Sequence, residues 1–247
     1  STVGVAEILP AYAGLLMERE IRNLGALMEN PRKPYAAIIG GAKVSDKIKV
    51  LDSLMERVDK MVIGGGMANT FLVAQGYTVG KSLLEQDRVE DATRLMKLAD
   101  KKGVELLLPT DVLVAKEVTR GAEHKIVPVK KIPNSWSAVD IGPDSREAFE
   151  AALADAMTVV WNGPMGVFEV PTFGDGTRGM ARMLADRVDA GASVVVGGGD
   201  SVAAIHELGL SSRFTHISTG GGASLEFLEG KELPGIKVLQ DRTEAIA

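Results

Sequence analysis

Short apolar runs that end at glycine are the feature of this 247-residue sequence that most restricts its fold. Most of the runs are apolar at every position rather than at alternate positions, which is typical of strands buried on both faces of a parallel sheet. The segments between them are long enough for the crossover helices that parallel strands require. We therefore expect strands at 35–41, 60–66, 104–109, 137–142, 157–163, 193–199 and 214–222.

Helical periodicity separates several of these runs. Apolar residues recur on one face of 43–58 and of 87–102, which predicts crossover helices. Residues 12–30 have heptad-like apolar spacing before any strand, and we interpret them as a bridging helix that lies against whatever precedes the chain. Residues 110–136 break the alternation and are predicted to form a small antiparallel excursion. No low-complexity linker or internal repeat divides the sequence, so we expect one doubly wound α/β domain, a mainly parallel, Rossmann-like sheet with helices on both faces.

The composition excludes several classes of protein. The chain has 28 Lys and Arg against 33 Asp and Glu, and this mildly acidic balance gives no general attraction to nucleic acid or to an anionic membrane. Because the chain has no cysteine, disulfide frameworks and thiolate metal sites are excluded. No apolar run approaches the roughly 18 residues of a membrane span, and the start "STVGVAEILP" does not have the form of a signal peptide. We expect a cytoplasmic protein whose chain begins inside a longer gene product.

Glycine clusters follow four of the predicted strands, at 40–41, 64–66, 197–199 and 220–222. In doubly wound sheets ligands bind beyond the carboxyl ends of the strands, so these turns are predicted to line one crevice. Glycine also ends strands because it tolerates positive φ, which is the alternative for any single turn. Three separate triplets favour close approach of a ligand to the backbone, because glycine otherwise lowers stability.

Two lysines follow the first glycine turn, in "GGAKVSDKIKVL". Lys43 and Lys47 are four residues apart at the predicted start of a helix, so they are expected to project from one face into a region that unpaired N–H groups make positive. Cations are unfavourable there without an anion, which indicates phosphate. The alternative is a pair of solvated lysines with Asp46 as a partial counter-charge. The sequence matches neither the Walker A pattern nor the dinucleotide pattern G-x-G-x-x-G.

An aspartate follows the third glycine turn, in "SVVVGGGDSVAAI". Asp200 alone is an ordinary helix N-cap. Together with two lysines that favour phosphate, it is where a nucleotide-bound Mg²⁺ would be held, since Mg²⁺ prefers one or two carboxylates plus phosphate oxygens. Ser201 would add a hydroxyl to the terminal phosphate or share the cap. These features favour a MgADP or MgATP site over a dinucleotide site.

Five segments, taken together, resemble one enzyme family. "GGAKVSDKI", "VIGGGM", "VWNGPMGVFE", "VGGGDS" and "HISTGGGASLEFLEGK" closely resemble phosphoglycerate kinase, and the resemblance runs from residue 1 to about 236. It implies the C-terminal half of such an enzyme, with a bridging region at 1–30, a nucleotide-binding domain at 31–236 and a tail at 237–247. The tail "KVLQDRTEAIA" departs from the family's usual ending, and its role is left open.

The resemblance also implies an activity for the complete enzyme, reversible phosphoryl transfer between 1,3-bisphosphoglycerate and MgADP. The family's N-terminal domain, with its basic patch for 3-phosphoglycerate and a catalytic arginine, has no counterpart among these motifs. The chain by itself is therefore expected to bind ADP or ATP with Mg²⁺ as a monomer and to show little turnover.

Residue roles carry over where the motifs match. Lys43 resembles the lysine that accompanies the transferring phosphoryl group, and Lys47 resembles one that binds the nucleotide phosphates. Asp200 resembles the Mg²⁺-linked carboxylate, and Ser201 stands where a hydroxyl is expected at the phosphates. Glu169 resembles the acceptor for the ribose hydroxyls, with an ordinary surface glutamate as the alternative.

The remaining positions resemble backbone and wall contacts. Asn162 resembles a phosphate-side contact and Pro164 a wall of the nucleoside slot, while the glycine triplet at 220–222 resembles a helix N-terminus that faces the transferred phosphoryl group. Val139 stands in the adenine slot where leucine is common. The positions assigned to nucleotide backbone or slot contacts are Gly41, Gly65, Gly66, Val139, Gly198 and Gly199, and those assigned to the transferred group are Gly220, Gly221 and Gly222.

Two other functions are compatible with a fold of this kind. A Rossmann-type oxidoreductase would use NAD, but the missing G-x-G-x-x-G argues against it. A stand-alone nucleotide-binding module without catalysis differs from the kinase half only in the absent partner domain. His124, His206 and His216 have no metal-like spacing, and we interpret them as ordinary surface or packing residues.

Overall fold

The computed structural model describes residues 2–240, in which nine β-strands form two sheets. The strands are β1 (Tyr35–Ile39), β2 (Lys60–Ile63), β3 (Glu105–Leu107), β4 (Asp111–Ala115), β5 (His124–Pro128), β6 (Ser137–Ile141), β7 (Thr158–Asn162), β8 (Ser193–Gly197) and β9 (His216–Ile217). The larger sheet has six parallel strands in the order β3-β2-β1-β7-β8-β9. The chain builds outward from β1 in one direction and from β7 in the other, so the topological switch point lies between these two strands.

Ten α-helices accompany the sheets in the described part of the chain. They are α1 (Val3–Ala6), α2 (Leu15–Glu29), α3 (Ile48–Met55), α4 (Ala68–Ala74), α5 (Val89–Lys102), α6 (Pro143–Leu153), α7 (Asp175–Asp189), α8 (Gly199–Glu207), α9 (Gly222–Leu228) and α10 (Pro234–Lys237). Within residues 2–240 no helix combines the length and apolar character needed to cross a bilayer.

The central strands are buried on both faces, as their continuous apolar sequence predicts. Tyr35 and Ile39 of β1 belong to a core that includes residues of α2, α3 and α5, whereas Ile38 belongs to a second core with α6, α7 and α8. Every residue of β1 and β7 is buried. The predicted doubly wound α/β fold with helices on both faces is confirmed.

The smaller sheet corrects one strand assignment. It is antiparallel, in the order β5-β4-β6, and has its own apolar core around Val112, Val114 and Trp136. The predicted antiparallel excursion at 110–136 is present, but the run at 137–142, expected among the parallel strands, pairs with β4 as its third strand. An apolar run reports burial and not the identity of its neighbours, which is why the sequence pattern misplaced β6.

Element boundaries agree with the sequence at some places and not at others. The helices expected at 12–30 and 87–102 are α2 and α5. The helix expected at 43–58 is shorter, because α3 begins only at Ile48, and the strand expected at 214–222 is reduced to the two residues of β9. Of the tail at 237–247, residues 241–247 lie outside the described residues.

Candidate functional site

A cleft of about 490 Å³ opens at the carboxyl ends of β1, β2 and β7. This edge contains the switch point between β1 and β7, where doubly wound sheets bind ligands. The cleft brings together seven of the predicted site residues, although their roles stay predictions. These seven are Gly41, Gly65, Gly66, Val139, Pro164, Glu169 and Asp200.

The loop at 163–167, which follows β7, ties the strand ends together at the base of the cleft. Gly41 N–H donates to the carbonyl of Pro164 at 2.9 Å, and Gly65 N–H donates to the carbonyl of Met165 at 3.1 Å. Gly65 has φ +67°, and a Cβ there would lie 2.6 Å from the backbone nitrogen of Gly41. Only glycine allows these loops to pack so closely, so this glycine has a structural reason besides any contact with a ligand.

Lys47 lies beneath the cleft with its ammonium group turned toward the sheet. Its Nζ donates to the carbonyl of Gly40 at 2.8 Å, to the carbonyl of Asn162 at 3.1 Å and to Oδ1 of Asn162 at 2.5 Å. Burial lowers the pKa of Lys47 to about 8, although the nearby carboxylates of Asp200 and Asp46 act in the opposite direction. A cation held in this way places positive charge behind the polar end of the cleft.

The structure corrects the expectation that Lys43 and Lys47 share a helix face. Both precede α3, which begins at Ile48, and Lys43 is exposed. The preceding turn is held in a non-helical conformation because the carboxylate of Glu85 accepts hydrogen bonds from the backbone N–H and the hydroxyl of Ser45. The two lysines therefore lie in the loop that precedes α3 and not in the first turn of a helix.

Asn162, the last residue of β7, presents an unsatisfied donor to the same region. The residue is 3% exposed, and its Nδ2 has no hydrogen-bond partner among residues 2–240. A Cβ at Gly198 would lie 3.2 Å from Nδ2, so the amide faces the glycine turn after β8. Because buried donors are normally paired, an acceptor bound over this turn would complete the hydrogen bonding of Asn162.

Asp200 and Ser201 have different surroundings on the first turn of α8. Asp200 is exposed and lines the cleft, and the N-cap of α8 is Gly198, so Asp200 is not the cap that the sequence left as an alternative. Ser201 is fully buried, and its Oγ accepts a hydrogen bond from the backbone N–H of Gly163 at 2.7 Å. The hydroxyl oxygen of Ser201 thus holds the loop at 163–167 against α8, and the predicted contact with a phosphate stays a prediction.

The other end of the cleft is a mainly apolar slot. Gly66, Val139 and Pro164 line it, and the exposed Glu169 lies at its rim. Sequence reasoning missed several of the residues that complete the slot, because most of them are side chains that the local pattern does not distinguish from ordinary core or surface residues. Among these are Asn69, Leu72, Leu83, Asp140 and Met165, of which only Asp140, a carboxylate within an apolar strand, carried a recognisable signal.

The glycine triplet at 220–222 does not line this cleft. Gly220 borders a second cavity, of about 620 Å³, whose walls include Met17 and Ile21 of α2 and Phe227 of α9. The structure therefore corrects the prediction of a single crevice. The turns at 40–41 and 64–66 line the first cleft, the turn at 197–199 reaches it only through the adjacent Asp200, and the turn at 220–222 lies beside α2.

A buried carboxylate holds the loop before this triplet. Glu20 of α2 is 9% exposed and accepts hydrogen bonds from Nε2 of His216 at 3.0 Å, from the hydroxyl of Ser218 at 2.8 Å and from the backbone N–H of Thr219 at 2.7 Å. Burial by itself raises the pKa of Glu20, but the hydrogen bonds, foremost that from His216, outweigh burial and lower it. His216 is thus a packing residue, as expected, with a specific acidic partner 196 residues away.

We expect Glu20→Gln to lower the free energy of unfolding at neutral pH by about 2 kcal/mol, since the amide nitrogen cannot accept the hydrogen bonds it inherits. Because its pKa is lowered, the carboxylate stabilises the folded state fully when the pH is above the ordinary pKa of 4.5. This stabilisation is lost as the pH falls through the lowered pKa. The difference between variant and parent should therefore narrow in acid. Denaturant titrations of both proteins between pH 7 and pH 3 measure it, with Glu18→Gln, an exposed glutamate on α2, as the control. A difference that did not change with pH would contradict the assignment.

Within residues 2–240 no three His, Asp or Glu side chains converge to form a metal site from protein ligands alone. Asp200 is the carboxylate predicted to hold a cation in the first cleft. Since no two other carboxylates or histidines of the described residues join it, a cation there would need further ligands from a bound anion.

Comparison with known proteins identifies the family. The family model for phosphoglycerate kinase matches residues 1–231. The chain belongs to the phosphoglycerate kinase family. The phosphoglycerate kinases of Moorella thermoacetica and Thermus thermophilus are each 55% identical to it, over 98% and 97% of its length, and the cytosolic enzyme of Nicotiana tabacum is 53% identical over 98%.

Solved structures of the family agree with the fold. The phosphoglycerate kinase of Coxiella burnetii superposes with a TM-score of 0.91 at 44% identity, and that of Pyrococcus horikoshii with a TM-score of 0.83 at 33% identity, each over 97% of this chain. The chain spans about three fifths of the length of these relatives, 60–62% of each of the five.

Proposed function

We propose that this chain is the nucleotide-binding half of a phosphoglycerate kinase and that the cleft binds MgADP or MgATP. One observation carries the proposal: a single cleft joins an apolar slot to a polar end backed by the buried ammonium of Lys47 and by Nδ2 of Asn162, which has no partner in the described part of the chain. A nucleoside diphosphate has the same polarity along its length, with a flat base at one end and anionic phosphates at the other.

The slot suits a base and a ribose. Gly65 and Gly66 have no side chains to obstruct a flat ring, and Val139 and Pro164 offer apolar contact. Glu169 at the rim would accept hydrogen bonds from two ribose hydroxyls, since a carboxylate accepts through both oxygens. These assignments rest on the family motifs and on the geometry of the cleft together.

The polar end suits a magnesium-bound phosphate chain. Asp200 is exposed at the cleft and would hold Mg²⁺ together with phosphate oxygens, the ligand set that this cation prefers. When bound, Mg²⁺ neutralises part of the phosphate charge. Lys47 would supply fixed positive charge beneath the phosphates. Lys43, exposed on the loop that precedes α3, is the group that would accompany the transferred phosphoryl group.

The reaction we propose for the complete enzyme is transfer of a phosphoryl group from 1,3-bisphosphoglycerate to ADP, and its reverse. The phosphorus–oxygen bond to the acyl group breaks as a bond to a terminal phosphate oxygen of ADP forms, and 3-phosphoglycerate leaves. Negative charge spreads over the equatorial oxygens of the transferred group, where Lys43 and the N–H groups near 220–222 would stabilise it.

The partner domain and the bridging role of residues 1–30 belong to the same proposal. The first turn of α2 exposes Leu15, Leu16 and Met17, which is consistent with a neighbour on that side in longer relatives. We also propose a cytoplasmic location and a monomeric state. Membership of the kinase family leaves the NAD-dependent oxidoreductase without support, whereas a non-catalytic nucleotide-binding module differs from our proposal only in turnover.

Calorimetry with four ligands tests the proposal. We expect MgADP and MgATP to bind and NAD and 3-phosphoglycerate not to bind. Absence of MgADP binding, or binding of NAD in preference, would overturn the assignment.

A variant tests the metal role of Asp200. We expect Asp200→Asn to weaken MgADP binding about tenfold while leaving the melting temperature unchanged, because the amide keeps the size of the side chain but removes a charge partner of Mg²⁺. Binding of ADP without Mg²⁺ should not weaken. Glu207→Gln, an exposed glutamate at the end of the same helix, is the matched control. Equal affinity of parent and variant for MgADP would remove Asp200 from the metal site.

A further inference from the structure

Asp140 of β6 is a buried carboxylate that none of the roles above uses. It is 4% exposed and lines the slot next to Val139. Its Oδ2 accepts a hydrogen bond from the backbone N–H of Gly176, in the first turn of α7, at 2.7 Å, and its Oδ1 accepts one from the N–H of Ile141 at 2.9 Å. The carboxylate therefore fastens β6 to the N-terminus of α7.

Two glycines make room for this carboxylate. A Cβ at Gly166 or at Gly176 would lie 2.2 Å from Oδ1 of Asp140. The first glycine belongs to the loop at 163–167 and the second to α7, so the carboxylate fills the space where the loop, the strand and the helix meet. Any displacement of Asp140 must move at least one of these three segments.

Keeping a carboxylate at this position costs stability. Burial raises the pKa of Asp140 to about 7, with the charge of Asp175 acting in the same direction, while the two backbone donors and Arg146 act against it. A buried ionisable group that is retained despite this cost is often tied to function. Here its hydrogen bonds connect one wall of the slot, β6, with a helix that contributes no residue to the described lining of the cleft.

Thr177, also on α7, makes the second connection. It is fully buried, and its Oγ1 accepts a hydrogen bond from the backbone N–H of Met165 at 2.9 Å. Met165 and its neighbour Pro164 line the slot, and the loop is further joined to β6 because Val167 N–H donates to the carbonyl of Val139 at 2.8 Å. The first turn of α7 thus fixes both the loop and the strand that form the slot.

We propose that Asp140 and Thr177 are positioning residues for the nucleoside, which set the relative placement of the slot walls Val139 and Pro164 from α7. The proposal rests on the proposed function, in that the slot is taken to hold the base and ribose of a nucleotide. Neither residue is assigned a part in phosphoryl transfer.

The experiment measures the dissociation constant of MgADP by calorimetry for the parent and four variants, at a temperature where circular dichroism shows each to be folded. Asp140→Asn and Thr177→Val keep the side-chain size but remove an acceptor, and we expect each to weaken binding about tenfold. Thr177→Ser restores the hydroxyl and should bind within twofold of the parent. Asp111→Asn is the structural control, since Asp111 is equally buried at 4% but bonds to the start of α6 through Ser145, and it should also bind within twofold.

The outcomes separate the two proposals. Parent-like affinity in both Asp140→Asn and Thr177→Val, or equal weakening in Asp111→Asn, would overturn the positioning role while leaving the proposed function standing. If the parent itself did not bind MgADP, the proposed function would fail first. If Asp140→Asn did not fold, the contrast between Thr177→Val and Thr177→Ser decides, and equal affinity in these two variants would overturn the proposal.

Discussion

Lys47→Ala is expected to weaken MgADP binding by about thirty- to a hundredfold, the largest effect of any single substitution in the cleft. The ammonium donates to the carbonyl of Gly40 and to two oxygens of Asn162, so its removal takes away fixed charge and releases the amide that faces the glycine turn. Because both the positive charge and the fixed position of the Asn162 amide are lost, the loss of binding free energy should exceed that from removing one hydrogen bond to a ligand.

The same variant should change the pH dependence of binding. Since burial lowers the pKa of Lys47 to about 8, the parent's affinity for MgADP should decline as the pH rises through that value and the ammonium loses its proton. Lys47→Ala should lack this decline. Lys49→Ala, an exposed lysine in α3, is the matched control and should behave like the parent.

Lys43 differs from Lys47 because its side chain is exposed and not packed beneath the cleft. In an enzyme rejoined with an N-terminal half, Lys43→Ala should impair phosphoryl transfer far more than nucleotide binding, whereas Lys47→Ala should impair both. Steady-state kinetics and calorimetry on the two variants measure this split. Comparable losses of affinity and turnover in both would contradict the assigned roles.

The sequence predicts most of the larger sheet for a physical reason. Strands buried on both faces, such as β1 and β7, must be apolar at every position, and few other local structures require that pattern. The same reasoning fails for β6, because an apolar strand packed in a small antiparallel sheet has the same composition. Local pattern reports burial, and only the folded chain decides which strand is the neighbour.

The site shows the same division. The glycine turns at 40–41 and 64–66 were predictable because close loop packing admits only small residues. Leu83 and Asn69 were not. Leu83 lies in an irregular segment without a glycine cluster, and nothing in the sequence distinguishes Asn69, in α4, from an ordinary helix residue. The orientation of Lys47 depends on Asn162, which lies 115 residues further along the chain, and no spacing rule within a helix contains that information.

A polypeptide of these 247 residues alone is expected to bind MgADP and yet to show near-background kinase turnover. The residues proposed for the nucleotide all lie within this chain, but the chain spans about three fifths of its relatives. In-line transfer needs the acyl phosphate held against the nucleotide with water excluded, and such alignment supplies about 7–11 kcal/mol of the barrier.

The geometry of the cleft supports this expectation, because Asp200, proposed to lie at its phosphate end, is exposed and water has access there. A coupled assay on protein free of host enzyme measures the turnover. Addition of the remaining N-terminal part of a relative in trans should restore it in part, if that part holds the acyl-phosphate site as we propose. Restoration should fail with Lys43→Ala while MgADP still binds, which ties the recovered activity to this chain's own cleft. Turnover by the chain alone at tens per second or more would show that the residues within it suffice for transfer, and that the acyl phosphate is held by groups we have not assigned.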